Sequence, residues 1–162
     1  MRMLVIFFFF FFSGYVISQD LLGPITIDEL KNKPYEEWFT VEYDNYNPFV
    51  KTTDQLKPLL QGVDIQVFMG TWCSDSQMQV PAFYRILDTV GFKGKISVIA
   101  VDEDKKTPSG SATDNEISYV PTFIFYKNGK EINRIVEAPV DFLEDDMLTI
   151  LSGAAYKHIY QD

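Results

Sequence analysis

The chain has 162 residues, enough for one domain or two small ones with a buried core. Lys and Arg total 14 against 23 Asp and Glu, a formal charge of -9, which argues against a nucleic-acid surface or an anionic membrane as the main partner, since both need clustered cations. A hydrophobic share of 46% excludes wholesale disorder, and the single cysteine, Cys73, excludes an internal disulfide, a thiolate zinc cluster and a self-contained Cys-x-x-Cys couple.

In chain order, Arg2 precedes an uncharged run from Met3 to Ile17 and then Ser18, with Val16 two positions earlier. Basic start, apolar run and small residues follow the order of a secretory signal peptide, with cleavage expected after Ser18. The run is shorter than the ~20 residues a spanning helix needs. The expected mature protein is therefore periplasmic or secreted and free of the membrane; an uncleaved N-terminal anchor is the alternative. Residues 19–60 are polar and aromatic and are read as an extension packed on the core. Thr26–Phe39 has helical character that Pro34 should interrupt, Val41–Pro48 looks rich in turns, and Thr53–Leu60 reads as a short helix ending near Gly62.

From residue 61 to 162 the pattern is that of a single α/β domain with a short tail. Asp64–Met69 and Lys95–Val101 are short apolar runs of buried-strand type. Between them Val80, Phe83, Tyr84, Leu87 and Val90 share one helical face over Ser74–Val90, and Gly91 supplies a stop. Strand, helix and strand at this spacing make the two strands parallel. Asp102–Ser118 is a polar loop with a helical turn near Asp114–Ile117. Pro121–Tyr126 and Glu131–Val136 flank Asn128-Gly129, a hairpin signal because both residues tolerate positive φ. Asp141 to Glu144 resembles a capping box opening a helix with Leu143, Met147, Ile150 and Leu151 on one face, closed by Gly153. The order predicts a three-layer α/β sandwich around a mixed sheet.

Chemistry concentrates in Gly70-Thr-Trp-Cys-Ser-Asp-Ser76, where a strand turns into the long helix. Cys73 should sit at or just before the helix N-terminus, where unpaired amides and the helix dipole favour a thiolate. Asp75, two residues on, opposes that through its own charge. Trp72 either forms an apolar contact surface beside the sulfur or shields the helix start. His158, the only histidine, lies about 85 residues away and reads as a tail residue before a Cys–His partner. Asp102, Glu103 and Asp104, followed by Lys105 and Lys106, read as a solvated charged loop before a cation site. Trp38 and the tyrosines of residues 35–49 are explained by packing. No Gly-rich phosphate loop, paired-histidine metal motif or serine-nucleophile elbow is present, so neither metal nor cofactor is expected.

Trp72-Cys73-Ser74-Asp75-Ser76, then Pro81, Tyr119-Val120-Pro121-Thr122 and Lys127-Asn128-Gly129-Lys130 together resemble the thioredoxin family over residues 60–152. The Gly-Thr-Trp-Cys form with its signal and aromatic extension also looks like a group of exported bacterial thioredoxin-like proteins. The resemblance implies a thioredoxin-like three-layer sandwich with an N-terminal helical extension, Cys73 as nucleophile, and Trp72, Ser74, Asp75, Ser76 and Pro121 supporting it. It also implies a cis bond before Pro121, with Trp72, Val120 and Pro121 contacting an extended substrate segment. Two departures follow. Ser76 stands where the family has its second cysteine, and a hydroxyl can hydrogen-bond a thiolate but cannot resolve a mixed disulfide. Val67 stands where thioredoxins commonly carry a buried Asp.

Two functions follow from this pattern. In the first, Cys73 acts as a monothiol in exchange with a protein or small-molecule thiol or disulfide, and an external thiol resolves the product. A glutathione-dependent or iron–sulfur variant is disfavoured because no basic cluster accompanies the motif. In the second, the chain is a redox-inactive binding or scaffold module that recognises an extended peptide near Trp72 and Pro121. An odd cysteine in an exported protein also leaves a Cys73-linked dimer open.

Overall fold

The computed structural model describes residues 20–111 and 115–161; the signal peptide read over 1–18 lies outside them. The centre of the fold is strand β2 (Val63–Met69), which pairs on both sides. It runs parallel to β3 (Ile96–Ala100), with Val67 opposite Val98, and antiparallel to β6 (Thr122–Lys127), with Phe68 opposite Thr122. The helix α4 (Ser74–Val90) connects β2 to β3. Gly91 ends it in the left-handed conformation at φ 69°, which a residue without Cβ adopts cheaply. Asn128 and Gly129, at φ 54° and 74°, turn β6 into its antiparallel neighbour β7 (Lys130–Val136).

The fifth strand comes from the segment expected to be helical and turn-rich. β1 (Gly23–Ile25) pairs antiparallel with the outer side of β3, completing a mixed sheet in the order β1-β3-β2-β6-β7. Three residues with one proline carry too little alternation to announce a strand. The helical reading of Thr26–Phe39 resolves into α1 (Ile27–Leu30) and the start of α2 (Glu36–Asn45), separated at Pro34. The turn-rich reading of Val41–Pro48 is overturned over its first half, where α2 continues to Asn45 because Phe39 is buried and Tyr43 stacks on it. α3 (Val50–Leu59) begins three residues earlier than expected and carries Pro58 in its last turn. A further small hairpin, β4 (Lys106–Thr107) with β5 (Gly110–Ser111), lies in the loop after β3.

Strand alternation divides the apolar residues between two faces. Ile65, Val67, Met69, Phe123 and Phe125 share one cluster with Leu30 of α1, Phe39 of α2, Leu56 of α3, and Val80, Phe83 and Ile86 of α4. Phe83 stacks on Phe123 with ring centroids 4.4 Å apart. On the other face Phe68 and Ile124 meet Val101, Ile117, Val120 and Cys73, with Trp72 packed against them. That second cluster is covered by the connection from β3 to β6 and includes the sulfur.

The last helix, α5 (Leu143–Leu151), corrects the capping-box expectation. Its N-cap is Phe142, one residue after Asp141, and no side chain caps it. The entry is held instead by Asp146, whose carboxylate accepts from the Val140 amide at 2.8 Å. Glu144 is fully buried and clamps the extension to the domain. Its carboxylate accepts from the Tyr46 hydroxyl at 2.5 Å and from the Phe49 amide at 2.9 Å. Burial, followed by the Glu144 hydrogen bond and charge, pushes the Tyr46 phenol far above its ordinary range, so it stays a neutral donor. Glu144→Ala leaves both donors without their acceptor and is expected to cost about 2–3 kcal/mol. Glu144→Gln, which keeps one oxygen, should cost less. Urea midpoints compare the two, and an Ala variant within about 0.5 kcal/mol of the parent would show that the clamp contributes nothing.

Candidate active site

The antiparallel pairing of β2 with β6 brings the end of one strand beside the start of the other, so residues 73 and 120 meet. Cys73 is the N-cap of α4 with extended backbone, and its side chain does not cap the helix. It is 9% exposed, and its Sγ donates to the Val120 carbonyl oxygen at 3.2 Å. The Val120–Pro121 peptide bond is cis.

Around the sulfur lies an open groove of about 310 Å³ lined by Trp72, Ser74, Asp75, Tyr119, Lys105 and Glu137, with Cys73 and Val120 at its base. Trp72 stands beside Cys73 at the start of α4. Its indole N–H donates to the Val101 carbonyl at 2.8 Å, which pins the ring across the helix start, and one side of the ring lines the groove. Gly70 makes that placement possible: a Cβ there would lie 2.5 Å from the indole Cε2. Lys105 Nζ sits 5.4 Å from the Trp72 ring centroid, a cation–π distance. Ser74 is exposed in the first turn of α4, and Asp75 is the acidic residue of that turn.

Ser76 engages the end of β2 through its hydroxyl. It is fully buried, and the hydrogen bond it makes is as acceptor from the Gly70 amide at 3.2 Å. The hydroxyl therefore ties the strand end to the helix. Thr71 secures the same turn from the other side. Its hydroxyl donates to the Asp20 carboxylate at 2.9 Å and accepts from the Leu21 amide at 3.2 Å, while Gln77 donates to the Thr71 carbonyl at 2.7 Å. Val67 is fully buried within the main apolar cluster, so the interior beneath the site holds no carboxylate at that position.

Several groove residues carried no signal in the sequence. Glu137 follows β7 at φ 62°, a conformation that favours glycine, and its amide donates to the Pro121 carbonyl at 2.7 Å. Burial, then the negative charge of Asp75, raises its carboxyl above the usual range, and Lys105 opposes the shift. Tyr119 and Lys105 come from loops whose fold no periodicity describes. His158 lies elsewhere, in a polar cavity of about 580 Å³ with Arg134, Glu131 and Thr122. Burial, then the Arg134 charge, lowers its pKa. Asp102 accepts from the Lys106 amide at 2.7 Å and Asp104 pairs with Lys106 at 3.0 Å, so the acidic loop is satisfied within itself. Among the described residues no group of three or more His, Cys, Asp and Glu is placed to hold a metal ion, and no helix is long and apolar enough to cross a membrane.

The chain is similar in sequence to known thioredoxins. A thioredoxin of Malassezia sympodialis is 35% identical over 91 residues, 55% of this chain and 84% of its own. A thioredoxin of Gallus gallus is 28% identical over 97 residues, 60% of this chain and 88% of its own. Among solved structures, a protein of unknown function from Pseudomonas aeruginosa aligns with a TM-score of 0.53 at 14% identity, covering 74% of this chain and 85% of that one, a likeness of fold alone. The sequence profile of the thioredoxin family matches residues 39–148. That match runs from within α2 into α5 and spans the whole Cys73 site: this chain belongs to the thioredoxin family.

Proposed function

We propose that the protein is an exported monothiol that carries out thiol–disulfide exchange through Cys73 and depends on an external thiol to complete the cycle. The observation that carries this reading is the pairing of a single sulfur at the α4 N-terminus, 3.2 Å from the Val120 carbonyl at the base of an open groove, with a buried hydroxyl at position 76. Export rests on the signal-peptide pattern of residues 1–18, with a periplasmic or secreted mature chain.

The chemistry follows from the electrons. Cys73 gives its proton to solvent and loses its hydrogen bond to Val120, and the thiolate turns toward the uncapped amides of α4. It attacks one sulfur of a substrate disulfide; that S–S bond breaks, its electron pair leaves with the departing thiolate, and a Cys73–substrate disulfide forms. In a two-cysteine member, the residue at position 76 would attack next. Here the Ser76 oxygen is a hydroxyl and cannot attack a mixed disulfide. An external thiolate must therefore attack the mixed disulfide, and attack at the substrate sulfur returns Cys73 to its starting state. Substrates are protein or small-molecule disulfides, with an extended segment lying along Val120 and Trp72. A Cys73-linked dimer is disfavoured, since two sulfurs that each lie below the surface do not meet without opening both grooves.

Three outcomes test this reading. Insulin should be reduced only when a small thiol is supplied, and Cys73→Ser should abolish the thiol-dependent rate; turnover without added thiol would overturn the monothiol cycle. Ser76→Cys should allow an intramolecular disulfide, read as loss of both titratable thiols after mild oxidation. Two free thiols remaining would show that position 76 is not in the resolving register. Gly70→Ala should push the Trp72 ring off Val101, shifting tryptophan emission in a Trp38→Phe background and slowing exchange several-fold. An unchanged rate with a shifted spectrum would remove Trp72 from the contact surface.

A further inference from the structure

We propose that Tyr160, in the C-terminal tail, is a positioning residue for the Cys73 groove: it braces the two groove-lining residues, Tyr119 and Glu137, along which a polypeptide disulfide must lie. The inference rests on the exchange chemistry proposed for Cys73. Tyr119, ahead of β6, and Glu137, after β7, both line the groove that has Cys73 and Val120 at its base. Tyr160 touches both. Its ring stacks on that of Tyr119 with centroids 3.9 Å apart and planes 2° from parallel, and its hydroxyl donates to the Glu137 carboxylate. The Glu137 amide in turn donates to the Pro121 carbonyl at 2.7 Å. Tail, cis-proline segment and the corner after β7 thus form a closed ring of contacts beside the sulfur.

The core does not do this work. Tyr119 is 40% and Tyr160 44% exposed, so neither ring is held by burial in an apolar cluster. Glu137 occupies a left-handed backbone conformation that a non-glycine residue holds only where its surroundings keep it there. Tyr160 itself arrives on an anchored segment. The Tyr156 hydroxyl donates to Asp146 at 2.7 Å, the Tyr156 carbonyl accepts from Asn133 at 3.2 Å, and the Gln161 amide donates to the His158 carbonyl at 2.9 Å. A small disulfide needs only access to Sγ. An extended polypeptide needs the Val120 backbone, Tyr119 and Glu137 in register, and a misplacement of about 1 Å is costly in such a geometry. The tail is therefore part of the machinery that favours polypeptide over small disulfides.

The test uses the full chain and its Tyr160→Ala and Tyr160→Phe variants, with hydroxyethyl disulfide and a disulfide-linked peptide as probes. Tyr160→Ala should slow exchange with the peptide about fivefold or more and leave hydroxyethyl disulfide within about twofold; Tyr160→Phe, which keeps the stack on Tyr119 but loses the bond to Glu137, should fall between the Ala variant and the parent. Hydrogen exchange of the Glu137 amide should quicken about tenfold in Tyr160→Ala while β2 amides stay protected. An unchanged peptide rate, or equal slowing with both probes, overturns the proposal; Tyr160→Leu serves in place of an Ala variant that fails to fold. If the parent reacts with neither probe, the Cys73 chemistry is wrong. The Glu137 amide then decides the brace alone: faster exchange in the variant supports it and unchanged exchange refutes it.

Discussion

The site depends on one geometric constraint: β2 is paired parallel on one side and antiparallel on the other. The parallel partner requires a crossover, and α4 supplies it, starting where β2 ends. The antiparallel partner reverses direction, so β6 begins at the same end of the sheet, with Thr122 opposite Phe68. The sulfur at the start of α4 and the carbonyl before Pro121 are 47 residues apart in the chain and 3.2 Å apart in space as a consequence. A one-residue slip in the β2–β6 register would turn Phe123 and Phe125 out of the main core, so the burial of those rings also holds the active-site contact in place.

The turn between β2 and α4 is secured more heavily than a surface connection requires. Ser76 ties its beginning, Gln77 and Thr71 tie its middle, and Trp72 is pinned to Val101 across it. These bonds leave the cysteine itself free of capping duty. The serine at position 76 is integrated into the scaffold, with its oxygen on the Gly70 amide and no exposed surface. Loss of the second sulfur has thus been absorbed structurally. The redox-idle module reading is disfavoured by the match to the thioredoxin family, which spans the sulfur and the groove around it.

Both chain termini contribute to this end of the molecule. Asp20 and Leu21 bond to Thr71, one residue from Trp72, and the tail brings Tyr160 against Tyr119 and Glu137. Between them, Glu144 and Tyr46 lock α5 to the connection between α2 and α3. The extension thus adds an edge strand to the sheet as well as contacts to the turn before Cys73, and the tail adds contacts to the groove. The groove that results holds two carboxylates, Asp75 and Glu137, and one cation directed onto an indole face.

The sequence by itself determined the strands β2, β3, β6 and β7, the helix α4 and the place of Cys73 at its N-terminus, because each rests on local rules: apolar periodicity, Gly91 as a stop, Asn128-Gly129 as a turn, and the spacing of Trp72, Cys73, Ser76 and Pro81. It also made Ser76 and Val67 legible as departures, since those positions are counted from Cys73. Only tertiary structure decided the rest. β1 is a strand because β3 offers an unpaired edge, and α2 continues through Val41–Asn45 because Phe39 and Tyr43 pack on the core and on each other. The cap at Asp141 gave way to Asp146 because the carboxylate one turn inside α5 reaches the Val140 amide. Glu137 and Tyr160 joined the site through contacts between residues 23 apart, and the Ser76 hydroxyl took the Gly70 amide. Such pairings have no periodicity to betray them; they exist only after the sheet has brought distant segments to one edge.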